Sequence, residues 1–423
     1  MEYKVQDTGK TVKTDESGSS KTTSRNRLLT ALAHREPDRI PIDFGGTDTS
    51  TIMVGPYLEL AKKIGIDPHP IYMPCPTGGT VDVASTMIDA MGGDTRLVTP
   101  YPRKWRDVMA YDGTPVRVPN GFQPETATDG SQFLRNESGA IASKMPPGSG
   151  FFFNIDHPFA SIKSPGELGK EKEIFNRIDR PAFSDLPLET FGNHIRKIRE
   201  NNDKILVWGF GGHIFEAAMQ MRGASQFLLD LIENPKLAEA ILDRITNAHI
   251  VAFDRFAETI GQYIDVIQVL DDMGTQTSPW LSPDMYRRIV KPYHAKFFRH
   301  IKQNSNIYIM LHTDGAVYPL IPDFIEMGID ILNPVQYTAT GMDLKTLKHD
   351  FGNDITFWGG GIDTQHALGF NTPAEIEDEV KQNIDILAPG GGFVFATVHN
   401  ILEGVPVENI ITVFRTAMEY GKY

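Results

Sequence analysis

Residues 307–336 read IYIMLHTDGAVYPLIPDFIEMGIDILNPVQ. Ile307 to Leu311 form an unbroken apolar run, the pattern of a strand buried on both faces. His312 and Asp314 follow at once, and Gly315 ends the run. LIPDFIEMG then reads as a short helix and IDILNPVQ as a second apolar strand. A strand, a covering helix and another strand are the repeat of a parallel sheet.

The repeat extends in both directions. KILVWGFGG (204–212), YIDVIQVLDDMG (263–274), ITFWGGGID (355–363) and GFVFATVHN (392–400) are strands of the same kind, each followed by a helical stretch. RIPIDFGG (39–46) is an earlier one. Seven strands are visible and an eighth is undefined, which fits a (β/α)8 TIM barrel better than an open sheet. No G-x-G-x-x-G opens a helix after the first strand, so the dinucleotide-binding alternative lacks its signature.

Two segments break the rhythm. Residues 1–24 are rich in Ser, Thr, Lys and Gly and read as a solvated tail. Residues about 95–165 are rich in Gly, Pro, Asp and Ser between short alternating runs, which predicts a β-rich insertion in the N-terminal half. The remainder, 25–423, is expected to be one barrel domain.

A net charge of −13 argues against a nucleic-acid or anionic-membrane surface. The lone cysteine, Cys75, excludes an intrachain disulfide and a multi-cysteine metal cluster. The N-terminus has no apolar signal-peptide core, and no apolar run is long enough to span a bilayer. The expectation is a cytoplasmic protein.

In a barrel of this kind the chemistry sits at the C-terminal strand ends. Those ends carry Asp43, His213 with Glu216, Asp271 with Asp272, His312 with Asp314, Asn333 with Gln336, Asp363, and His399 with Asn400. Any one of them also suits a structural role, since carboxylates after strands cap helices and an Asp before Gly makes an Asx-turn. Together they favour a functional rim. No serine sits in a G-x-S-x-G elbow, and the cysteine is not beside a strand-end histidine. Acid–base work by His and Asp, or a His/Asp/Glu metal site, remains. Asp43, Asp271, Asp272 and His399 are the catalytic candidates. His312, Asp314 and Glu216 are the metal candidates, with Asp271, Asp272 or His399 as alternatives to Glu216 for completing the set, and alternate residues of a strand share a face. His213, Asn333, Gln336, Asp363 and Phe152 are the substrate-binding candidates, Phe152 from the apolar FFF of residues 151–153.

The blocks RLLTALAHREPDRIPIDF, DDMGTQTSPWLSPDMYRRIVKPYHAKFF, LHTDGAVYPLIPDFIEMGIDILNPVQ, FWGGGIDTQ and APGGGFVFATVHNILEGVPVENI occur in an order that resembles the uroporphyrinogen decarboxylase superfamily. That superfamily also holds methyltransferases that pass methyl groups between corrinoid proteins and thiols or other acceptors. The resemblance covers residues 24–423 and implies a (β/α)8 barrel, often a homodimer. Two departures narrow it. Porphyrinogen decarboxylases carry an arginine-bearing loop after the first strand, where this chain has DFGGTDTST. The zinc-dependent methyltransferases have His-x-Cys where this chain has His312 and Asp314, and a further cysteine near Gly390–Gly392. The resemblance implies a methyltransferase moving a methyl group from a small methylated or methoxylated compound to a corrinoid protein. The expected cofactors are a zinc ion, if the cluster holds a metal, and cobalamin on the partner. The alternative is a decarboxylase of a porphyrinogen-like or smaller acid, and a remoter one a non-catalytic binding module.

Overall fold

The computed structural model describes residues 22–423 except 101, 103, 111, 112, 137 and 171–186, and leaves the side chains of 169 and 170 undescribed. The expected tail therefore falls almost wholly outside the described residues.

The centre is a curled sheet of seven parallel strands. They are β1 (Thr95–Val98), β8 (Ile205–Gly211), β9 (Val266–Leu270), β10 (Tyr308–His312), β11 (Ile331–Asn333), β12 (Thr356–Trp358) and β13 (Phe393–Val394), neighbours in that order. The strand missing from the sequence reading is β1, which lies inside the stretch assigned to the insertion. It has four residues and only Thr95 and Val98 buried, too short a pattern to read. Conversely, RIPIDFGG does not form a regular strand. Ile42 makes a single parallel bridge to Phe395, and its carbonyl accepts from Asp94 N just before β1.

Strand parity decides what each residue does. Ile205, Val207, Val266, Met310, Ile331, Trp358 and Val394 share the inner face of the curl, packed with Leu28 and Leu32 of the helix Ser24–Leu32. That helix covers the N-terminal strand end, where Arg25 Nη2 meets Asp265 Oδ1 at 2.8 Å. Leu206, Trp208, Ile267, Ile309, Leu311, Leu332 and Phe357 face out into the layer of helices. Both faces are buried, which is why the strands read as continuous apolar runs. The largest cover is the helix Pro235–Ile260, whose Leu237, Ile241, Leu242 and Ile245 are fully buried at helical spacing. Each such side chain contributes about 1.5–3 kcal/mol of burial.

Between β1 and β8 lie two antiparallel sheets, β2 (Trp105–Met109) with β3 (Pro115–Pro119), and β4 to β7 (Glu125–Thr126, Gln132–Arg135, Ile141–Met145, Phe153–Asn154). No helix among the described residues is long and apolar enough to cross a membrane.

Candidate active site

His312 continues the inner face of β10, two residues beyond Met310, and pairs in register with Asn333 at the end of β11. Asn333 Nδ2 donates to the Trp358 carbonyl at 2.9 Å, which fixes the amide so that its Oδ1 accepts. That oxygen lies 2.7 Å from His312 Nδ1, so Nδ1 carries the proton and Nε2 keeps the lone pair. Thr49 donates to the same oxygen at 3.1 Å, and Gln268 Nε2 donates to Thr49 Oγ1 at 3.0 Å.

The free Nε2 faces Asp314 Oδ2 at 3.8 Å and Asp272 Oδ1 at 4.0 Å. His399 Nε2 lies 3.9 Å from the same Asp314 oxygen. One ligand atom from each of His312, Asp314 and His399 falls within 4.8 Å of the others. These separations are too long for hydrogen bonds. They are near the roughly 3.4 Å between ligands of a tetrahedral ion with bonds of about 2.1 Å. Asp314 owes its position to two backbone bonds. Its own N donates to Asp272 Oδ1 at 2.8 Å, and Gly315 N donates to Gln336 Oε1 at 2.7 Å. Gly315 has φ of 90°, and a Cβ there would come within 2.5 Å of the Thr275 carbonyl, so the turn requires glycine.

Of the residues expected to complete the set, Glu216 lies outside this triad and gathers instead with His213 and Asp271, one ligand-type atom of each within 4.8 Å of the others. Its Oε2 accepts from His213 Nδ1 at 2.8 Å and from Asp272 N at 3.1 Å. His399 takes its place. Burial draws the His213 pKa down, but the Glu216 bond and the charges of Asp271 and Asp272 outweigh it and raise it. Burial pushes Asp272 up to about 6, helped by Glu216 and Asp314 and opposed by His312. The side chain is still 36 % exposed, so solvent tempers the effect. A carboxyl whose folded pKa lies above its unfolded value costs stability as pH rises through the folded value. Asp272→Asn should therefore match the parent in urea melts near pH 4 and exceed it near pH 8. Equal differences at both pH values would contradict this origin.

Three further candidates turn out to be structural. Asp271 is buried, with its oxygens taken by Ile214 N, Phe215 N, Glu216 N and His294 Nε2 at 2.7–3.0 Å. It caps the helix Phe215–Arg222 rather than facing a substrate. Asp43 is wholly buried and accepts from Gly46 N, Thr95 Oγ1 and Trp358 Nε1 at 2.7–2.9 Å. Asp363 is buried and accepts from the backbone N–H groups of Gln365, His366 and Ala367. Each of these carboxylates is thus engaged in holding its local turn or the sheet beside it. Phe152 lies elsewhere, edge-on to Phe122 at 5.7 Å in a cavity of about 220 Å³ lined by both apolar residues such as Met73, Val108 and Met145 and polar ones such as Arg106 and Gln132.

Beside the triad opens a cleft of about 690 Å³ lined by Asp314, His399, Gln336, Gln365, Phe370 and Leu402, among others. Charge in this region is one-sided. The loops 43–53, 211–216, 271–281, 312–317, 333–343, 359–371 and 397–405 contain no lysine and no arginine. The segment after β1 differs, for the insertion carries basic residues such as the exposed Lys104 and Arg106, which lines the insertion's own cavity.

Asp48 escaped the sequence reading. It lies in the GGTDTST loop, five residues past the apparent strand end at Asp43, and only the polarity of that loop signals it. Its N donates to Gln268 Oε1 at 2.9 Å, and its carbonyl accepts from Asn400 Nδ2 at 3.2 Å. The carboxylate rests on the bare backbone of Gly209, where a Cβ would collide with Asp48 Oδ2. Burial raises its pKa to about 6, with His213 and His312 drawing it back.

Residues 167–420 match the family profile described as uroporphyrinogen decarboxylase (URO-D). The chain belongs to the uroporphyrinogen decarboxylase family. Among its relatives, the uroporphyrinogen decarboxylase of Crocosphaera subtropica is 25 % identical over 283 residues, 64 % of this chain and 74 % of that one. That of Pelobacter propionicus is 25 % identical over 217 residues, 50 % of this chain and 59 % of that one. A methyltransferase from Methanosarcina mazei shares the fold, with a TM-score of 0.58, 19 % identity, and coverage of 95 % of this chain and 99 % of that one.

Proposed function

We propose that this family member is a methyltransferase that moves a methyl group from a small donor to a corrinoid carried by a partner protein. The observation that carries the reading is the convergence of His312, Asp314 and His399 at a strand-end rim where seven loops lack arginine and lysine. Recognition of a polycarboxylate substrate is favoured by cationic partners. Those loops offer carboxylates instead. The relatives named above are uroporphyrinogen decarboxylases, and the acidic rim is what favours a different substrate for this chain. The methyltransferase name of the Methanosarcina mazei neighbour agrees with the reading.

Two imidazoles and one carboxylate, with the His312 tautomer fixed by Asn333, suit a divalent ion such as zinc. His312, Asp314 and His399 would hold it, and when bound it would polarise the heteroatom that bears the methyl group. The chain's own residues do the rest. Asp272 braces Asp314 through its backbone N–H, and Gln336 braces Gly315. Phe370 and Leu402 give the outer cleft an exposed apolar edge against which a methyl group could rest. We take residues 40–43 as the eighth stave that closes a (β/α)8 barrel, and a homodimer as the working assembly.

Mixing the protein with a cobalt(I) corrinoid protein and a panel of methylated amines, methyl ethers and methylthiols tests the reading. Methyl–cobalt absorbance is expected with one donor class. Its absence for every donor, with carbon dioxide released from a candidate acid, would replace this reading with decarboxylation.

A further inference from the structure

The insertion holds a cavity of its own, between its two small sheets. Along β2 and β3, Arg106 pairs with Val118 and Val108 with Val116, so these four side chains share one face of the ribbon. Across β4, β5 and β6, Thr126 pairs with Gln132 and Gln132 with Met145, a row on one face of the other sheet. All of them line the same cavity of about 220 Å³, together with the Phe122 and Phe152 rings. Facing sheets ordinarily fill the space between them with interdigitating side chains. Here the space stays open although Val116, Val118 and Met145 are buried.

The polar residues on these faces are not used up by the fold. Arg106 commits Nε and Nη2 to the Phe122 carbonyl, at 3.1 and 2.7 Å. A guanidinium has five N–H donors, so Nη1 and one hydrogen of Nη2 remain. No described carboxylate pairs with them. The Gln132 amide bonds to no described residue either. A guanidinium that is anchored by a carbonyl, keeps free donors and lines a largely apolar cavity suits a carboxylate with a hydrocarbon body. The cleft beside the triad shares no described lining residue with this cavity.

We propose that the insertion binds a small organic monocarboxylate, its carboxylate on Arg106 and its hydrocarbon body between the two sheets, at a site separate from the triad. An apolar cavity of about 150 Å³ accepts a benzene ring, so this one takes a body of about six to eight carbons. The site stands whatever reaction the triad performs, and it lies outside residues 167–420, which match the family profile.

Calorimetric titration of the full chain with hexanoate, benzoate, acetate, hexanamide and benzamide tests this. Hexanoate or benzoate should bind, with its amide and acetate about tenfold weaker or more. Arg106→Gln should weaken that binding roughly tenfold to hundredfold, because hydrogen bonds to a charged group are lost. Arg106→Lys should recover part of it. Val108→Phe, which fills the cavity and leaves Arg106 in place, should abolish it. Arg106→Gln also loses the bonds to the Phe122 carbonyl, so thermal melts accompany each variant, and the analogue series on the parent decides the matter where a variant unfolds. Stripping metal with a chelator should leave the binding unchanged, since the triad plays no part in it. No binding of either larger carboxylate, equal binding of acetate or the amides, or loss of binding on chelation would overturn the proposal. So would a folded Arg106→Gln or Val108→Phe variant that binds like the parent.

Discussion

A His312→Ala variant should lose divalent metal that the parent retains. Dialysed against metal-free buffer, the parent should keep about one zinc per chain and the variant close to none, read by elemental analysis. The triad offers three protein ligands, and removing one leaves an imidazole and a carboxylate 3.9 Å apart, too few to compete with water. Asn333→Ala tests the same assignment more gently. It leaves every ligand in place but frees the His312 Nδ1 proton, which Asn333 Oδ1 holds at 2.7 Å. Loss of such an orienting bond costs about 10–100-fold in metal affinity. Glu216→Gln should change metal content little, because Glu216 is committed to His213 and Asp272. A parent that binds no zinc, or a His312→Ala variant that keeps it, would return His312 and Asp314 to acid–base or hydrogen-bonding roles.

Much of this was legible in the sequence, and the limits have physical causes. The strands from 205 onward were readable because each is buried on both faces, so composition alone marks them. His312 and Asp314 were placed together correctly because strand parity is local. Which of Glu216 and His399 joins them is not local. Both follow strands by a few residues, and only the curl of the sheet decides which loop reaches Asp314. Asp271, Asp43 and Asp363 were over-read for the reverse reason. A carboxylate just past a strand is where a substrate would be met, and also where the next turn needs its N–H groups capped. Sequence shows the carboxylate but not the bonds that saturate it. The packing of Asp48 was not legible because Gly209, whose bare backbone makes room for it, is 161 positions away.

The saturated state of Asp271 makes it the most consequential residue for folding among the strand-end carboxylates. Burial disfavours its charge, but the His294 bond and the backbone N–H groups of Phe215 and Glu216 outweigh that and hold the pKa below its usual value. His294 is itself buried and bonded through Nδ1 to the Tyr286 hydroxyl at 3.1 Å. Asp271→Ala would strand three backbone donors and an imidazole in the interior. Breaking one partner of a buried charged network costs about 3–5 kcal/mol, a large part of a total stability of about 5–15 kcal/mol. Urea unfolding at pH 7 should show a loss of this order, with the helix Phe215–Arg222 exchanging its amide protons first. The pH dependence has a definite sign. A carboxyl with a depressed folded pKa stabilises fully above its unfolded value of about 3.9, and that stability fades as pH falls through the folded pKa. The gap between parent and Asp271→Asn should therefore be widest near neutrality and shrink below about pH 4. A gap that stays constant down to pH 2 would mean that Asp271 contributes packing alone, and that its charge is not what anchors the helix carrying Glu216.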